Sequence, residues 1–415
     1  MPQAIVVGAG VVGLSCAVHL RRKGFDVLVV DAGSVGGAAS FGNAGWIVPA
    51  LSAPVASPGA FSFGLRSMLQ RGGAFTIRPV PSPSLIRWGV RFARAARSKP
   101  FASGLAATAV FASQAARSFE TLVASGLQTP VHSRGMLIAY ESAAEAEAEL
   151  AAYSGLRQFG VALREAALGP TELQSVEPAL GRLARAGILF PDEQFVDPHL
   201  LTLDLSTLAQ QEGVEVRENT RVAKLSDPRD PRVHLSDGSL LQDATVVIAA
   251  GSESPGLLLG LGYRLPMQPG KGLSVTVKPT TAVGMPVYIP AAKAAITPLN
   301  SGMRIAGVME LGAKSLEIST QRLGRMVSSA EKYFVSDFQV TEHDTAWAGL
   351  RPVTADSLPV IGAVPGTNRT FVATGHAMLG VTLGPLTGEI IAELAIGNPQ
   401  SVAEPFNPNR FLRKR

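Results

Sequence analysis

Apolar and polar positions follow a regular order over the first 31 residues of the chain. A β-branched apolar run at residues 4–7 predicts a buried strand, and residues 8–13 form a glycine-rich turn. Residues 14–23 have the pattern of a helix, and a second strand-like run at residues 26–30 leads to Asp31. Strand, glycine turn, helix, strand and acid in this order are typical of a unit that binds an adenine dinucleotide.

Each glycine of this first turn has its own predicted purpose. Gly8 allows the tight turn, Gly10 lets the backbone approach a pyrophosphate, and Gly13 lets the helix pack closely on the strand. The start of the helix offers unpaired N–H groups and a partial positive charge to phosphates. Asp31 is placed to accept hydrogen bonds from a ribose hydroxyl. The alternative is a glycine-rich turn that binds no ligand.

A second strand, glycine turn and helix are predicted near the end of the chain, at residues 370–373, 375–380 and 382–396. Because one dinucleotide needs one pyrophosphate site, the start of this second helix could serve the other end of the same ligand. Residues 244–250 are continuously apolar and end at Gly251, which indicates a central parallel strand whose backbone passes close to a ligand.

Two further patterns lie between these units. Residues 264–335 return to alternating strand patterns, whereas residues 84–97 have the pattern of a helix. On that helix Arg87, Arg91 and Arg94 are spaced four and three residues apart, so they share one face. This basic face is either solvated, or contacts an anionic membrane surface, or binds a phosphate or substrate.

The composition indicates a globular protein of about two domains. The chain has 415 residues, of which 46% are hydrophobic and 17% charged. A net charge of +5 permits anionic substrates or an anionic membrane surface, and with 6% aromatic residues nothing indicates nucleic-acid binding. Cys16 is the single cysteine, so no intrachain disulfide can form, and the six histidines show no metal-ligand spacing.

The location and assembly of the protein are less well determined by the sequence. No apolar run of about 20 residues predicts a membrane-spanning helix. Because the first strand begins at residue 4, we expect no signal peptide. We therefore expect a cytoplasmic protein, with peripheral contact to the inner face of the membrane as an option. The sequence indicates no oligomeric state.

Taken together, the motifs resemble those of the glycine/D-amino-acid oxidase superfamily of FAD-dependent oxidoreductases, most closely its bacterial D-amino-acid dehydrogenases. The resemblance covers nearly the full length of the chain. The motifs that carry it are Gly8, Gly10 and Gly13, Ser40-Phe41-Gly42-Asn43-Ala44-Gly45, Pro269-Gly270-Lys271-Gly272, Gly349-Leu350-Arg351-Pro352 with Asp356, and Thr374-Gly375-His376 through Gly380.

The resemblance implies an α/β fold: a discontinuous Rossmann-like FAD-binding domain plus an α+β substrate domain with a mixed or antiparallel sheet. We expect the FAD-binding domain to comprise residues 1–48, 197–262 and 340–415. The substrate-binding domain is then expected to comprise residues 49–196 and 263–339.

The resemblance also implies FAD as the cofactor, and without a cysteine after Cys16 we expect it to be bound non-covalently. The first unit would hold the ADP half, residues 40–45 would lie against the pyrophosphate and flavin, and residues 375–382 would lie at the flavin pyrimidine edge. The expected cofactor-binding residues are Val7, Gly8, Gly10, Val11, Val12, Gly13, Asp31, Ala32, Ser40, Asn43, Ala44, Gly45, Val222, Ala250, Gly251, Arg351, Gly375, His376, Leu379, Gly380, Val381 and Thr382.

The implied reaction is the FAD-dependent oxidative deamination of a D-amino acid or a cyclic imino acid. It gives a 2-oxo acid and ammonia, or a cyclic imine, and passes electrons to a quinone or another acceptor. The protein must then position a carboxylate and exclude water, and no side-chain base is obligatory. Three alternatives stay open: an FAD amine oxidase of the glycine or sarcosine type that uses oxygen, an NAD(P)-linked dehydrogenase, and an FAD-binding subunit without turnover of its own.

Four residues are candidates for positioning the substrate. Arg351 is the candidate carboxylate clamp because a guanidinium binds a carboxylate in bidentate fashion, although it could instead pack behind the flavin. His376 is a candidate for contact with flavin or substrate, or for a structural role. Tyr288 could form a wall of the site or pack in the core. Lys271 could approach cofactor or substrate, or lie in solvent.

Overall fold

The computed structural model describes residues 1–58, 82–313, 315–338 and 345–412, and the backbone of residues 75–77. In these parts of the chain the strands form a six-stranded sheet, an eight-stranded sheet and two sheets of three strands. The two large sheets correspond to the two predicted parts of the fold, and the predicted α/β class is confirmed.

The six-stranded sheet contains the predicted nucleotide-binding unit. Its neighbouring strands are parallel except for one antiparallel pair at the edge. Across the sheet the strands are Val360–Ala363, Thr370–Thr374, Ala244–Ile248, Gln3–Val7, Asp26–Val30 and Glu215–Arg217. The apolar run at residues 244–250 therefore forms a central parallel strand, as predicted.

Two helices pack side by side against this sheet, Val11–Arg22 and Gly380–Ala395. They approach closely because glycines face the neighbouring backbone. A Cβ atom added at Gly388 would lie 2.4 Å from the carbonyl carbon of Ser15, and one at Gly384 would lie 2.8 Å from a methyl carbon of Val11. The packing brings the beginnings of both helices to the same end of the sheet.

The eight-stranded sheet is mixed, as predicted for the second part of the chain. Its neighbours are antiparallel except for two parallel pairs, Val287–Ile289 with Met136–Tyr140 and Gly302–Leu311 with Phe75–Ile77. In order, its strands are Thr345–Thr354, Met267–Val277, Gly302–Leu311, Ala294–Leu299, Val287–Ile289, Met136–Tyr140 and Ala186–Phe190, with Phe75–Ile77 beside Gly302–Leu311.

One strand departs from the expected division of the chain. Residues 340–415 were assigned to the FAD-binding domain, but Thr345–Thr354 pairs along its length with Met267–Val277 in the eight-stranded sheet. The continuous antiparallel ladder, from Thr276 opposite Thr345 to Met267 opposite Thr354, holds it there. The expected boundary at residues 339 and 340 lies outside the described residues.

The remaining elements connect and cover these sheets. One small sheet contains the strands Val222–Ser226, Arg232–Leu235 and Leu240–Leu241. The other contains Trp46–Ile47, Gln194–Phe195 and His132–Ser133. The other α-helices are Pro83–Ala95, Ser98–Ala112, Ala115–Ala124, Ala143–Tyr153, Pro170–Val176, Pro198–Gln211, Ser254–Leu259 and Thr320–Glu331. Short 3-10 helices are Pro49–Leu51, Ser154–Phe159, Gly251–Glu253, Ser401–Phe406 and Pro408–Phe411. Across the described ranges, no helix has the length and apolar character needed to traverse a lipid bilayer.

Candidate active site

An open groove follows the carboxyl ends of the parallel strands. This edge is where open α/β sheets bind their ligands. The groove is lined by the ends of four strands, at Val7, Val30, Ala249 and Ala373.

Most of the expected cofactor-binding residues line this groove. They are Val7, Gly8, Gly10, Val11, Val12, Asp31, Ala32, Ser40, Asn43, Val222, Ala250, Gly251, His376, Gly380 and Val381. The expected residues that lie outside its lining are Gly13, Ala44, Gly45, Arg351, Gly375, Leu379 and Thr382.

The three glycines of the first turn differ in what surrounds them. At Gly8 φ is +114°, and an added Cβ would lie 2.5 Å from the carbonyl oxygen of Ala249. At Gly13 an added Cβ would lie 1.9 Å from the carbonyl oxygen of Gly8, so this glycine packs helix on strand. At Gly10 only the Ser40 hydroxyl is near, at 3.1 Å, so a side chain there would project into the groove.

At both helix beginnings at the groove, the residue before the helix gives no side-chain cap. The helix Val11–Arg22 follows Gly10, and neither it nor Gly380–Ala395 has an acidic residue in its first turn. The N–H of Val11 donates to the Ser40 hydroxyl at 3.2 Å. Helix N-termini with orphan N–H groups favour anions, so the two beginnings fit the negatively charged parts of a dinucleotide.

Asp31 is oriented by the backbone on either side of it. One carboxylate oxygen accepts the N–H of Ala9 at 2.7 Å, and the other accepts the N–H of Gly33 at 2.8 Å. An ionised carboxylate has about four acceptor sites, so two remain for hydroxyl donors. Its place in the groove lining agrees with the predicted contact to a ribose.

The second turn is held in an unusual conformation. Gly375 has φ +77°, and Ala377 has φ +49°, although it carries a side chain. A Cβ at Gly375 would lie 2.6 Å from the Thr354 methyl group, which explains the glycine there without a cofactor contact. Thr382 donates its hydroxyl hydrogen to the carbonyl oxygen of Trp46 at 2.8 Å, so it ties the helix to a neighbouring strand.

His376 is buried at the groove with a fixed hydrogen bond. Its Nε2 lies 3.0 Å from the Thr387 hydroxyl, and that hydroxyl donates to the carbonyl oxygen of Leu383. The ring therefore donates its N–H to Thr387. Burial lowers the pKa of His376 to about 4, so the imidazole is neutral at physiological pH.

A row of side chains crosses the eight-stranded sheet on the face that carries Arg351. Cross-strand partners share a face, and the register links Tyr288 to Ala295, Ala306, Ser274 and Trp347 in turn. Strand alternation places Arg351 on the same face as Trp347. The structure thus brings Tyr288 and Arg351 to one surface.

Arg351 lies in a recess made for it. Its guanidinium carbon lies directly over Gly272. A Cβ atom added to that glycine would lie only 2.2 Å from the guanidinium carbon. One guanidinium nitrogen donates to the carbonyl oxygen of Val308 at 2.7 Å. Val308 is the extra residue of a β-bulge opposite Gly272, and its φ of +60° is rare for a β-branched residue.

The charge of Arg351 has no acidic partner within the described ranges, since no carboxylate there lies within 4.0 Å of its guanidinium. Burial lowers the pKa of Arg351 to about 10, so it stays charged at neutral pH. A partly buried guanidinium whose remaining N–H groups have no acidic partner in the described residues is suited to an incoming carboxylate.

Lys271 is not brought to this surface. Its Nζ donates to the carbonyl oxygen of Glu317 at 3.1 Å and lies 3.6 Å from the Glu310 carboxylate. Glu310 also pairs with Arg322 on the helix Thr320–Glu331, which covers the opposite face of the sheet. The structure therefore favours an ion-paired lysine over the expected contact with substrate.

Several residues of the groove were missed by the sequence analysis. Two of them, Arg221 and Glu253, form an ion pair at 2.8 Å. The glycine and alanine pattern around residue 250 could have indicated Ala249, and the motifs at residues 349–352 and 374–380 contain Leu350, Pro352, Thr374 and Ala377. No motif indicated the others. The missed residues are Val30, Ala38, Ala39, Thr220, Arg221, Ala249, Ser252, Glu253, Leu257, Leu350, Pro352, Ala373, Thr374 and Ala377.

Comparison with known proteins agrees with this geometry. Residues 3–394 match the family model described as DAO, FAD dependent oxidoreductase. A D-amino acid dehydrogenase of Paramagnetospirillum magneticum is 33% identical over 414 residues, covering 97% of this chain and 96% of the relative. One of Methylobacterium radiotolerans is 30% identical over 411 residues, covering 96% and 97%.

Solved structures share the fold at lower sequence identity. A glycine oxidase from Geobacillus kaustophilus superimposes with a TM-score of 0.76 at 21% identity, and all of both chains is covered. An L-proline dehydrogenase from P. horikoshii gives a TM-score of 0.73 at 18% identity, covering 99% of this chain and 97% of that one. These likenesses concern the fold alone.

Proposed function

Because this chain belongs to the DAO family of FAD-dependent oxidoreductases, we propose that it oxidises a D-amino acid or a cyclic imino acid. The substrate loses two electrons and two hydrogens across its carbon–nitrogen bond. Water then releases a 2-oxo acid and ammonia, or a cyclic imine is the product. The observation that carries the proposal is Arg351, a partly buried cation without an acidic partner in the described residues, beside a dinucleotide groove.

The groove fits FAD on its own chemistry. Asp31 would hold the ribose, Gly10 and the first turn of the helix Val11–Arg22 would hold the pyrophosphate, and the beginning of Gly380–Ala395 would lie at the flavin. When bound, FAD supplies the acceptor for the hydride removed from the substrate. We propose non-covalent attachment, because the single cysteine, Cys16, is buried in the first helix.

Arg351 would bind the substrate carboxylate through its free N–H groups. The Val308 carbonyl and the recess at Gly272 hold the guanidinium still, which fixes the direction of the incoming carboxylate. In the row across the sheet only Tyr288 is ionisable, and burial raises its pKa. That row therefore forms a wall of the site and supplies no base. This agrees with a reaction that needs a correctly positioned substrate and the exclusion of water.

The division into a discontinuous FAD-binding domain and a substrate-binding domain also stays a prediction. The strand pairing favours one amendment: Thr345–Thr354 belongs with the substrate-binding part. Leu350 and Pro352 of that strand then bring the substrate-binding part into the lining of the groove.

We propose a quinone or another carrier, rather than oxygen, as the electron acceptor, and this rests on the name of the relatives. With a D-amino acid as substrate, we expect the holoenzyme to reduce an artificial dye or quinone at least about ten times faster than oxygen. Dye bleaching and peroxide formation are measured in parallel, with substrate omitted as the control. Peroxide formed at the rate of dye reduction would identify an oxidase instead.

A peripheral membrane contact is proposed for the helix Pro83–Ala95. Leu85, Trp88 and Phe92 are buried, whereas Ile86 and Val90 are 53% and 48% exposed. Arg87 and Arg94 are exposed beside them. Residues 32–119 contain nine basic residues and no Asp or Glu, so the positive charge of the whole chain is concentrated in this region.

We expect the holoenzyme to sediment with anionic phosphatidylglycerol vesicles at low salt and to be released at high salt. Each basic side chain near such a surface contributes roughly 1 kcal/mol. Phosphatidylcholine vesicles are the control, and Ile86→Glu with Val90→Glu should weaken sedimentation. Equal sedimentation with both vesicle types, or none with either, would remove the membrane contact and leave the amine chemistry untouched.

A further inference from the structure

We propose that Arg304 is a positioning residue that keeps the loop of residues 40–45, here called the cofactor loop, closed on the groove. Arg304 lies on the eight-stranded sheet and is only 6% exposed. One guanidinium nitrogen donates to the carbonyl oxygens of Phe41 at 2.9 Å and Asn43 at 3.1 Å. Its Nε donates to the Thr276 hydroxyl at 3.2 Å.

The charge of Arg304 has no acidic partner that would explain its burial. Within the described ranges no carboxylate lies within 4.0 Å of it. Burial lowers the pKa of Arg304, and the charge of Asp197 acts in the opposite direction. The Asp197 carboxylate, however, caps a helix by accepting the N–H groups of His199 and Leu200. A buried cation is stable only when its hydrogen-bond donors are satisfied. The loop carbonyls therefore stabilise the charge of Arg304, and Arg304 in turn stabilises the conformation of the loop.

Neighbouring residues of the same sheet bind the carbonyl oxygen of Ala44 and pack against the loop at Gly42. Thr297 donates its hydroxyl hydrogen to the carbonyl oxygen of Ala44 at 2.7 Å, and it accepts the indole N–H of Trp46 at 2.8 Å. Trp347 packs on the loop where an added Cβ at Gly42 would lie 2.0 Å from its ring. Side chains of the sheet therefore contact the loop backbone along its length from Phe41 to Ala44.

The other side of the cofactor loop faces the groove. Ser40 and Asn43 line it, and the Ser40 hydroxyl accepts the N–H of Val11 at the beginning of the first helix. The loop is thus fixed on one side by the sheet and on the other by the helix, at the lining of the groove. Loss of the bonds to Arg304 should loosen the loop, so we expect Arg304 to slow FAD release.

Arg304 does not share the carboxylate clamp with Arg351. Arg304 stands opposite Thr276 and Arg351 opposite Gly270 on the strand Met267–Val277. Six residues of strand separate them, or about 20 Å at roughly 3.3 Å per residue. The inference therefore rests on the family's cofactor and is independent of the proposed substrate.

The test is the rate of FAD release from the holoenzyme, followed by the rise in flavin fluorescence after dilution. We expect Arg304→Gln to release FAD at least about tenfold faster than the wild type, about 1.4 kcal/mol. Arg304→Lys can keep one carbonyl bond and should show a smaller increase. Thr297→Val, which removes one hydroxyl without changing size, should act in the same direction. Arg369→Gln, at an exposed ion pair with Asp230, is the control and should match the wild type.

Global unfolding of each holoenzyme is measured by circular dichroism under the same conditions. Faster release with an unchanged unfolding rate supports the positioning role. Release within twofold of the wild type in Arg304→Gln, or release that rises only as fast as unfolding, overturns it. If Arg304→Gln is insoluble, Arg304→Lys and Thr297→Val decide the matter, and unchanged release in both overturns the proposal.

Discussion

Gly10→Val is expected to abolish FAD binding while the polypeptide remains folded. The reason is that the valine side chain would enter the groove, where the only close neighbour of an added Cβ is the Ser40 hydroxyl at 3.1 Å. The side chain would take the place of the pyrophosphate, whose contact with the backbone anchors a dinucleotide. Bound flavin in the purified protein should fall below about a tenth of the wild-type content.

Two measurements separate this result from misfolding. Circular dichroism of Gly10→Val should retain the helix and strand content of the wild type. Gly8→Val is the contrasting variant, because its Cβ would lie 2.5 Å from the carbonyl oxygen of Ala249 at a φ of +114°, and it should fail to fold. Normal flavin content in Gly10→Val would contradict the placement of the pyrophosphate.

Arg351→Ala is expected to retain FAD and to lose most of its activity. Arg351 lies outside the groove lining, whereas its guanidinium would carry the substrate carboxylate. Removing one partner of a buried charged pair should lower kcat/KM roughly a hundred- to a thousand-fold, or about 3–4 kcal/mol. Arg351→Lys keeps the charge but loses the bidentate fork, so about 2 kcal/mol, roughly thirtyfold, is expected.

Steady-state kinetics of these variants at matched flavin content provide the check. Arg164→Ala serves as the control, because Arg164 lies in an exposed ion pair with Glu172 and outside the groove lining. A loss of less than about threefold in Arg351→Ala, under about 1 kcal/mol, would place the clamp elsewhere.

The parts of the site with a fixed local spacing could be predicted from the sequence. Gly8, Gly10 and Gly13 each need a particular neighbour within the same unit, so their spacing alone indicates strand, turn and helix. The second turn at Gly375 was found for the same reason. The helix after this turn packs closely against the first helix at Gly384 and Gly388. The need for glycine at these two positions is evident only from the contact between the two helices.

The parts that depend on strand register could not be predicted. Lys271 was expected at the site because it stands between two glycines, but alternation along its strand turns it toward Glu310 and Arg322. Arg304 belongs to no motif, and only the sheet brings it to the loop carbonyls. Val308 shows no sequence sign of the bulge that holds Arg351, since a β-branched residue favours ordinary strand geometry.

The most direct test of the proposed chemistry is the absorbance of the bound flavin without oxygen. D-alanine and L-alanine are added separately to the anaerobic holoenzyme, with D- and L-proline as cyclic counterparts and dithionite as the positive control. We predict that a D-enantiomer bleaches the flavin while its L-enantiomer leaves it oxidised. A flavin that dithionite reduces but that no amino or imino acid bleaches, or that L-alanine bleaches while D-alanine and both prolines do not, would contradict the proposed function.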